Sequence, residues 1–342
     1  MAAGERTLIL AEGFSADHHY GKTMRGVLRY RRDDVVAILD SERVGETEDG
    51  VPIVGGVDAA LAYQPVVALV GVATQGGRFP PAWRALLTAC IGAGLSIENG
   101  LHQMIRDDPE LRPLADERGV ELRDLRRPPD GLDCPTGANL EVDAPIVLTV
   151  GSDCAIGKMT VSLELDRAAR ARGVASLFVP TGQTGIAIAG WGIAVDAVVS
   201  DFLAGAAERL VVEGRRRGGE LLLVEGQGSL VHPAYSGVTL GLFHGSTPHV
   251  LVLCHRAGTT EVEGYPGHPL PSLPELIALH EQASLPRRRA RVVAIAMNTA
   301  GLDDAEASTA IAAAAEETGL PAGDPVRDGA DAVLDAVLEA TS

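Results

Sequence analysis

"VGSDCAIGKMT" (Val150–Thr160) lies almost halfway along the 342-residue chain and decides how the rest of the sequence is interpreted. The apolar run "PIVLTVG" leads into it, and a helical pattern follows it. Gly151 and Gly157 enclose five residues, whereas the common phosphate-binding loop encloses four. The strand–loop–helix context nevertheless predicts a phosphate-binding loop.

The chemistry of such a loop comes from its backbone and its lysine. Successive N–H groups point inward and the amino end of the helix adds positive potential, so phosphate oxygens are favoured there. Lys158 would reach a terminal phosphate, and Thr160 could ligate Mg²⁺. The alternative is a glycine-rich turn with a surface lysine. The predicted phosphate-binding residues are Gly151, Ser152, Asp153, Cys154, Ala155, Ile156, Gly157, Lys158, Met159 and Thr160.

An acidic residue interrupts the run "LLLVEGQGSL" (Leu221–Leu230). Four apolar residues lead into Glu225, and two glycines bracket Gln227. A carboxylate at the carboxyl edge of a parallel sheet lies where such folds bind ligands. Glu225 could therefore hold Mg²⁺ through water or act as a general base. The alternative is a strand-end acid that caps the next turn.

Glycines are also frequent at the start of "PTGQTGIAIAGWGIAVDAVVSD" (Pro180–Asp201), ahead of an apolar helical pattern. A glycine-rich backbone can approach a ligand closely, and threonine and glutamine side chains suit a small anionic substrate. The alternative is a flexible surface loop. The predicted substrate-binding residues are Thr181, Gly182, Gln183, Thr184, Gly185 and Gln227.

Two further polar residues begin "CHRAGTTEVEGYPGHPLP" (Cys254–Pro271), just beyond a predicted strand. His255 offers a titratable imidazole and Arg256 a guanidinium that binds carboxylates. Four other histidines of this half lack the i,i+4 spacing of a helical metal pair, so no metal-ligating residues are predicted. These histidines are His232, His244, His249 and His268.

Short apolar strands alternate with helical stretches in both halves of the sequence, which predicts βαβ units and parallel sheets. The proline-rich stretch "RRPPDGLDCPTGANLEVDAP" (Arg126–Pro145) is the best linker candidate. We therefore expect an α/β protein of two domains with a boundary near residue 140.

The composition of the chain limits the kinds of molecule that it can bind. The formal net charge is −17, so the chain repels nucleic acid and anionic membranes except at local positive sites. The four cysteines form no C-x-x-C pair, which suits a reducing cytosol rather than a disulfide framework or zinc ribbon. The amino terminus has too short an apolar run for a signal peptide, so a cytoplasmic protein is expected.

Together, "GSDCAIGKMT", "PTGQTGIAIAGWGIAVDAVVSDF", "VEGQGSL" and "CHRAGTTEVEGY" resemble a bacterial family catalogued as a domain of unknown function. "AILDS", "VPIVGG" and "GLSIENGLHQ" resemble its Rossmann-like part. The resemblance implies a Rossmann-like domain at residues 1–140 and a P-loop NTPase-like parallel-sheet domain at residues 141–342. Its members include D-glutamate N-acetyltransferases that use acetyl-CoA.

The resemblance implies an acyltransferase that acetylates D-glutamate or a related amino acid, with the loop gripping CoA phosphates. Glu225 or His255 would be the base, and Arg256 would help to clamp the carboxylates of the acceptor. Backbone N–H groups of Gly182–Gly190 are candidate oxyanion donors. A homo-oligomer that binds only small molecules is expected, and a requirement for Mg²⁺ stays open.

Two other classes of protein fit the motifs. A more distant resemblance to dethiobiotin synthetase implies an ATP- and Mg²⁺-dependent kinase or ligase acting on a small carboxylate. In that family a hydroxyl residue occupies the position of Met159, which weakens the case for Thr160 as a metal ligand. The N-terminal half also resembles, weakly, the CoA-binding domain of succinyl-CoA synthetase. The third class is a non-catalytic nucleotide or CoA sensor.

Overall fold

The computed structural model describes residues 4–17 and 20–342, which divide into two compact units. The first unit comprises the described residues up to Pro128 together with Gln183–Ala197, and the second comprises Pro129–Gly182 and Val198–Ser342. This division falls earlier than the expected boundary near residue 140, and it assigns a segment of the second half to the first unit. The expectation that the chain has no signal peptide rests on its amino-terminal stretch. Residues 1–3 of that stretch lie outside the residues that the structure describes.

The first unit is built on a seven-stranded sheet with the order β3-β4-β2-β1-β5-β6-β7. The strands are β1 (Thr7–Leu10), β2 (Val35–Leu39), β3 (Thr47–Glu48), β4 (Val51–Val54), β5 (Val67–Val70), β6 (Ser96–Asn99) and β7 (Leu122–Asp124). The helices are α1 (Lys22–Arg31), α2 (Val57–Leu61), α3 (Trp83–Gly92), α4 (Leu111–Arg118) and, later in the chain, α6 (Gln183–Ala189). All strand pairs are parallel except β3 with β4.

The second unit is built on a six-stranded, all-parallel sheet with the order β13-β12-β11-β8-β10-β9. Its strands are β8 (Ile146–Gly151), β9 (Ser176–Val179), β10 (Leu221–Val224), β11 (Val250–Arg256), β12 (Arg291–Asn298) and β13 (Ala322–Gly323). Its helices are α5 (Lys158–Ala171), α7 (Ser200–Arg216), α8 (Ser236–Ser246), α9 (Leu273–Gln282), α10 (Asp304–Thr318) and α11 (Asp331–Thr341).

Apolar strands buried on both faces explain why the sequence reads as an α/β protein. The central strands of both units, β1 and β8, are buried along their whole length. Helices cover these strands with small and branched apolar side chains; in the second unit Leu165, Val333 and Val337 are among those that pack on the core. No helix of the described chain combines the length and hydrophobicity needed to cross a membrane.

Helix ends follow local capping chemistry. Ser272 and Glu275 form a reciprocal capping box at the start of α9, and Asp303 and Glu306 do the same for α10. Gly319 ends α10 in the left-handed conformation. The sequence pattern predicts helices over Leu273–Gln282 and Asp304–Thr318, and α9 and α10 have these bounds.

The structure differs from the expected elements at several points. The antiparallel β3–β4 hairpin and helices α2, α8 and α11 were not expected. The segment of α8 lacks a clear apolar periodicity, whereas α11 buries Val333, Leu334 and Val337 on one face, a pattern that the sequence already offered. The sequence pattern predicts a helix over Asp196–Glu213, but Asp196 lies in a short 3-10 turn (Val195–Ala197) and α7 begins only at Ser200. His255 and Arg256 are the last two residues of β11 and do not lie beyond it, since their backbone continues to pair with β12.

Candidate active site

The predicted phosphate loop connects β8 to α5 at the carboxyl edge of the second sheet. Ala155 and Gly157 both have positive φ values, of 52° and 110°, and α5 begins at the next residue, Lys158. A Cβ at Gly151 would lie 2.8 Å from the Ile156 Cδ1 and 2.9 Å from the Lys158 Nζ. Any larger residue at this position would have to displace the ends of the Ile156 and Lys158 side chains, so Gly151 lets the loop close over its own strand without that displacement.

Lys158 is directed into this loop rather than into solvent. Its side chain is buried, and its Nζ donates to the Asp153 carbonyl over 2.7 Å. Burial lowers the pKa of the Lys158 ammonium. The alternative of a surface lysine is thereby excluded, and the loop presents a cation where a phosphate oxygen would lie.

Neighbouring strands hold the loop from both sides. The Ser152 amide donates to the Cys254 carbonyl over 3.0 Å, and the Ser229 hydroxyl donates to the Ser152 carbonyl over 3.1 Å. The Asn298 side-chain amide donates to the Ile156 carbonyl over 3.0 Å. Sequence reasoning missed Ser229 and Asn298, although the position of Asn298 at the end of β12 was an available signal.

Glu225, Thr181, Gly182 and Gln227 form one hydrogen-bonded cluster in the second unit. The Glu225 carboxylate is buried and accepts from the backbone N–H groups of Thr181 and Gly182, over 2.8 and 3.1 Å. The Thr181 hydroxyl donates to the Glu225 carbonyl, and the Gln227 side chain donates to the Thr181 carbonyl over 2.5 Å. The cluster gives the buried carboxylate a fixed orientation.

The remaining predicted substrate-binding residues belong to helix α6 of the first unit. The Gln183 Oε1 accepts from the Arg126 Nη2 over 2.7 Å, and the Thr184 hydroxyl is 2.9 Å from that of Thr23. Gly185 is buried inside the helix.

The structure narrows the expectation that the amides of Gly182–Gly190 serve as oxyanion donors to the N–H groups in the first turn of α6, which have no intrahelical acceptor. Most of this segment is helical, so its later N–H groups are used within the helix, as Gly190 shows by donating to the Ile186 carbonyl. The Gly182 amide is engaged by Glu225.

Arg126 is a buried residue that sequence reasoning left in the linker. Its guanidinium donates to the Gly100 carbonyl over 2.8 Å, to Gln183 and to the Asp196 carboxylate. Burial lowers the pKa of His102, as does the nearby Arg126 charge, while Asp196 opposes both. Arg126 therefore fixes the two ends of the α6 segment within the first unit.

His255 lies beside the phosphate loop. Its Nδ1 is 2.9 Å from the Ser152 hydroxyl, and burial lowers the pKa of the imidazole despite the opposing Glu317 charge. It also lines a cavity of about 350 Å³, together with Thr259, Met297 and Glu317. Arg256 is exposed, and its guanidinium has no hydrogen bond or ion pair among the described residues.

Three side chains of different chemistry meet at the start of the loop. One potential ligand atom each from Asp153, Cys154 and His232 lies within 4.8 Å of the other two. Asp153 and His232 are buried and Cys154 is half-buried. The spacing of histidines in the sequence could not predict this group, because Asp153 and Cys154 follow β8 while His232 follows β10.

The loop, its buried lysine and the all-parallel sheet define the second unit as a P-loop domain, as predicted. The chain belongs to the DUF1611 family. Residues 133–334 match its P-loop domain of unknown function, and residues 40–128 match its Rossmann-like N-terminal domain. Both the resemblance seen in the sequence and the expected fold class are confirmed.

Two relatives of this chain carry the name of an enzyme. A protein of Tritonibacter scottomollicae named D-glutamate N-acetyltransferase is 35% identical over 335 residues, 97% of this chain and 98% of the relative. One of the same name from Pseudoalteromonas sp is 36% identical over 267 residues, 78% and 79% of the two chains. The crystal structure of a DUF1611 family protein from Anabaena variabilis superposes on this chain with a TM-score of 0.91. The two sequences are 43% identical, and the match covers 98% of this chain and 99% of that one.

Proposed function

We propose that this protein transfers an acetyl group from acetyl-CoA to the amino group of D-glutamate or a related amino acid. The observation that carries the proposal is the identity of 35–36% to two relatives named D-glutamate N-acetyltransferase, over most of the chain. The fold by itself supports many activities, so the support for this reaction comes from the relatives and from the residues of the site.

In this account the phosphate loop grips CoA and no phosphoryl group is transferred. CoA carries a 3′-phosphate and a pyrophosphate, and either suits a loop with a buried lysine at a helix amino terminus. The structural support is Lys158, whose Nζ is held 2.7 Å from the Asp153 carbonyl and can be redirected to a phosphate oxygen. The ten residues Gly151–Thr160 are the proposed grip.

The acceptor amine must lose a proton as it attacks the thioester carbonyl, so the site needs a base. His255 suits this role because burial lowers its pKa, which keeps the imidazole neutral and able to accept a proton at neutral pH. Glu225 is the other candidate, since its buried carboxylate is held in a fixed orientation by the Thr181 and Gly182 amides, which both donate to Oε2. Either residue stands at the carboxyl edge of the sheet.

A dicarboxylate acceptor also needs a cation. Arg256 is the candidate because it is exposed and makes no ion pair within the described chain. The planar guanidinium binds carboxylates with two parallel hydrogen bonds. The proposed setting is the reducing cytoplasm, consistent with the free state of Cys90, Cys134, Cys154 and Cys254, and the proposed assembly is a homo-oligomer.

The loop and Glu225 give a second candidate function some support. In an ATP-dependent kinase or ligase, Lys158 would stabilise the γ-phosphate and Glu225 would hold Mg²⁺. The test supplies purified protein and Mg²⁺ with acetyl-CoA or ATP, each against D- and L-glutamate, and measures free thiol and ADP in parallel. Thiol release without ATP supports acetyl transfer. ADP release without thiol overturns it, and binding without turnover favours a sensor.

A further inference from the structure

The group Asp153, Cys154 and His232 combines a carboxylate, a thiol and an imidazole at one end of the second sheet. Asp153 and Cys154 follow β8, and His232 follows β10, the neighbouring strand. Because adjacent parallel strands end at the same edge, the loops that follow them meet there. The meeting of these side chains is thus a consequence of the fold.

We propose that Asp153, Cys154 and His232 form a binding site for a divalent transition-metal ion of the zinc class. Thiolate and imidazole ligands select such ions over Mg²⁺ and Ca²⁺, which prefer oxygen donors alone. Three protein ligands leave a fourth tetrahedral position open to water or to a ligand. Two anionic ligands, the carboxylate and the ionised thiolate, would balance the charge of a divalent ion.

The surroundings of each ligand support a built site. The Asp153 carboxylate is 1% exposed and accepts from the Cys154 and Glu263 amides, each over 2.7 Å. These bonds orient the carboxylate and leave lone pairs for a metal, as ligating carboxylates require. Cys154 is half-buried, and its Sγ has no hydrogen-bond partner within the described chain.

The surroundings of His232 also support a metal site. It is 4% exposed, and its ring is fixed between Tyr235, at 4.7 Å, and Tyr265, at 5.1 Å between centroids. The Ala234 amide donates to Nδ1 over 3.2 Å, while Nε2 has no hydrogen-bond partner in the described part of the chain. Because no protein group in the described part of the chain bonds to Nε2, this nitrogen is available to a metal ion.

The hydrogen bond at Nδ1 does not block the site. A metal bound through Nδ1 takes the place of the Ala234 amide. A metal bound through Nε2 moves the ring proton to Nδ1 and breaks the same bond. Either mode gives up one hydrogen bond of 3.2 Å, which the binding of a transition metal readily outweighs.

The test measures metal content and needs no substrate, so it succeeds or fails independently of the proposed acetyl transfer. Full-length protein is stripped with a chelator, loaded with Zn²⁺, passed through a desalting column and analysed by elemental mass spectrometry. Cys154→Ser and His232→Gln remove single ligands, and Cys134→Ser is the matched control because Cys134 is an exposed cysteine outside the group. Circular dichroism before loading verifies that each variant is folded.

We expect about one zinc ion per chain in the wild type and in Cys134→Ser, with affinity reduced more than about tenfold in the ligand variants. Loading with Co²⁺ should give a thiolate-to-cobalt absorption band that Cys154→Ser abolishes. Zinc retention that is equal in the wild type and in Cys154→Ser would overturn the proposal, as would the absence of bound zinc in the wild type. If His232→Gln does not fold, Cys154→Ser alone decides.

Discussion

Ser152 and His255 are joined by a hydrogen bond of 2.9 Å between the Ser152 hydroxyl and the imidazole Nδ1. Each residue directly follows a paired position, since Gly151 of β8 is the register partner of Cys254 of β11. The phosphate loop and a candidate base are therefore held together by the central strands of the sheet.

Removal of the loop lysine should weaken CoA binding. Lys158→Met should raise the KM for acetyl-CoA at least about tenfold, because a buried cation that faces phosphate oxygens is lost. The measurement is thiol release at varied acetyl-CoA concentration. Arg167→Met is the control, because Arg167 lies on the same helix and its side chain is 74% exposed. An unchanged KM in Lys158→Met would remove the lysine from the grip.

The Glu225→Gln variant tests whether the Glu225 carboxylate is the catalytic base or only holds the Thr181 and Gly182 amides in place. The amide oxygen can still accept from Thr181 and Gly182, so the fold should be kept while proton transfer is lost. If Glu225 is the base, kcat should fall about 100-fold or more with little change in KM. Glu220→Gln, at an exposed position before the same strand, should behave as the wild type. Full activity in Glu225→Gln would leave His255 as the remaining candidate base.

Arg256 should determine acceptor preference. Arg256→Gln should raise the KM for a dicarboxylic amino acid about tenfold or more and leave the KM for acetyl-CoA unchanged, because one charge-assisted carboxylate contact is removed. Steady-state kinetics with each substrate varied in turn give both constants. Arg291→Gln, at the exposed start of β12, is the control. Equal effects on both substrates would argue for a structural role instead.

Acid should destabilise the protein through its buried histidines. Burial lowers the pKa of His280 to about 4, and the Nδ1 of this fully buried ring lies 2.7 Å from the Leu276 carbonyl. The unfolded chain takes up a proton near pH ~6.5, whereas the folded protein does so only near pH ~4. Stability is therefore full above the higher value and is lost as the pH falls between the two.

The size of this effect can be measured with His280→Gln. Near pH ~5 the wild type should lose about 2 kcal/mol through this histidine relative to neutral pH, and the variant should lose correspondingly less. Thermal and urea unfolding across this range give the comparison. His268→Gln, at an exposed position, should retain the wild-type pH dependence. Parallel curves for the wild type and His280→Gln would contradict the assignment.

Two glycines should respond oppositely to alanine. A Cβ at Gly226 would lie 1.7 Å from the Thr149 carbonyl oxygen, so Gly226→Ala must displace β10 from β8 and should destabilise the protein by about 3 kcal/mol or more. Gly237 lies in α8 with open space around its Cβ position, so Gly237→Ala should stabilise by about 0.5–1 kcal/mol. Denaturant unfolding of both variants distinguishes these signs, and a neutral Gly226→Ala would disprove the close approach.

The sequence predicted those features that depend on local pattern. The buried strands, the capped helices α9 and α10, and the strand–loop–helix around Lys158 follow from periodicity, capping residues and glycine spacing. The α6 segment was misread because its glycines suggest a loop, while its packing within the first unit stabilises a helix. Arg126, Asn298 and His232 were missed because their roles depend on which strands are neighbours, and strand order is not a local property of the sequence.

The measurement that tests the central claim most directly is identification of the product. Purified protein is incubated with carbon-13-labelled acetyl-CoA and D- or L-glutamate, without ATP, and the products are resolved by chiral chromatography and mass spectrometry. The account predicts labelled N-acetyl-D-glutamate, formed in equal amount to free CoA and strongly reduced in Lys158→Met. CoA release without an acetylated amino acid, or turnover only when ATP is present, would contradict it.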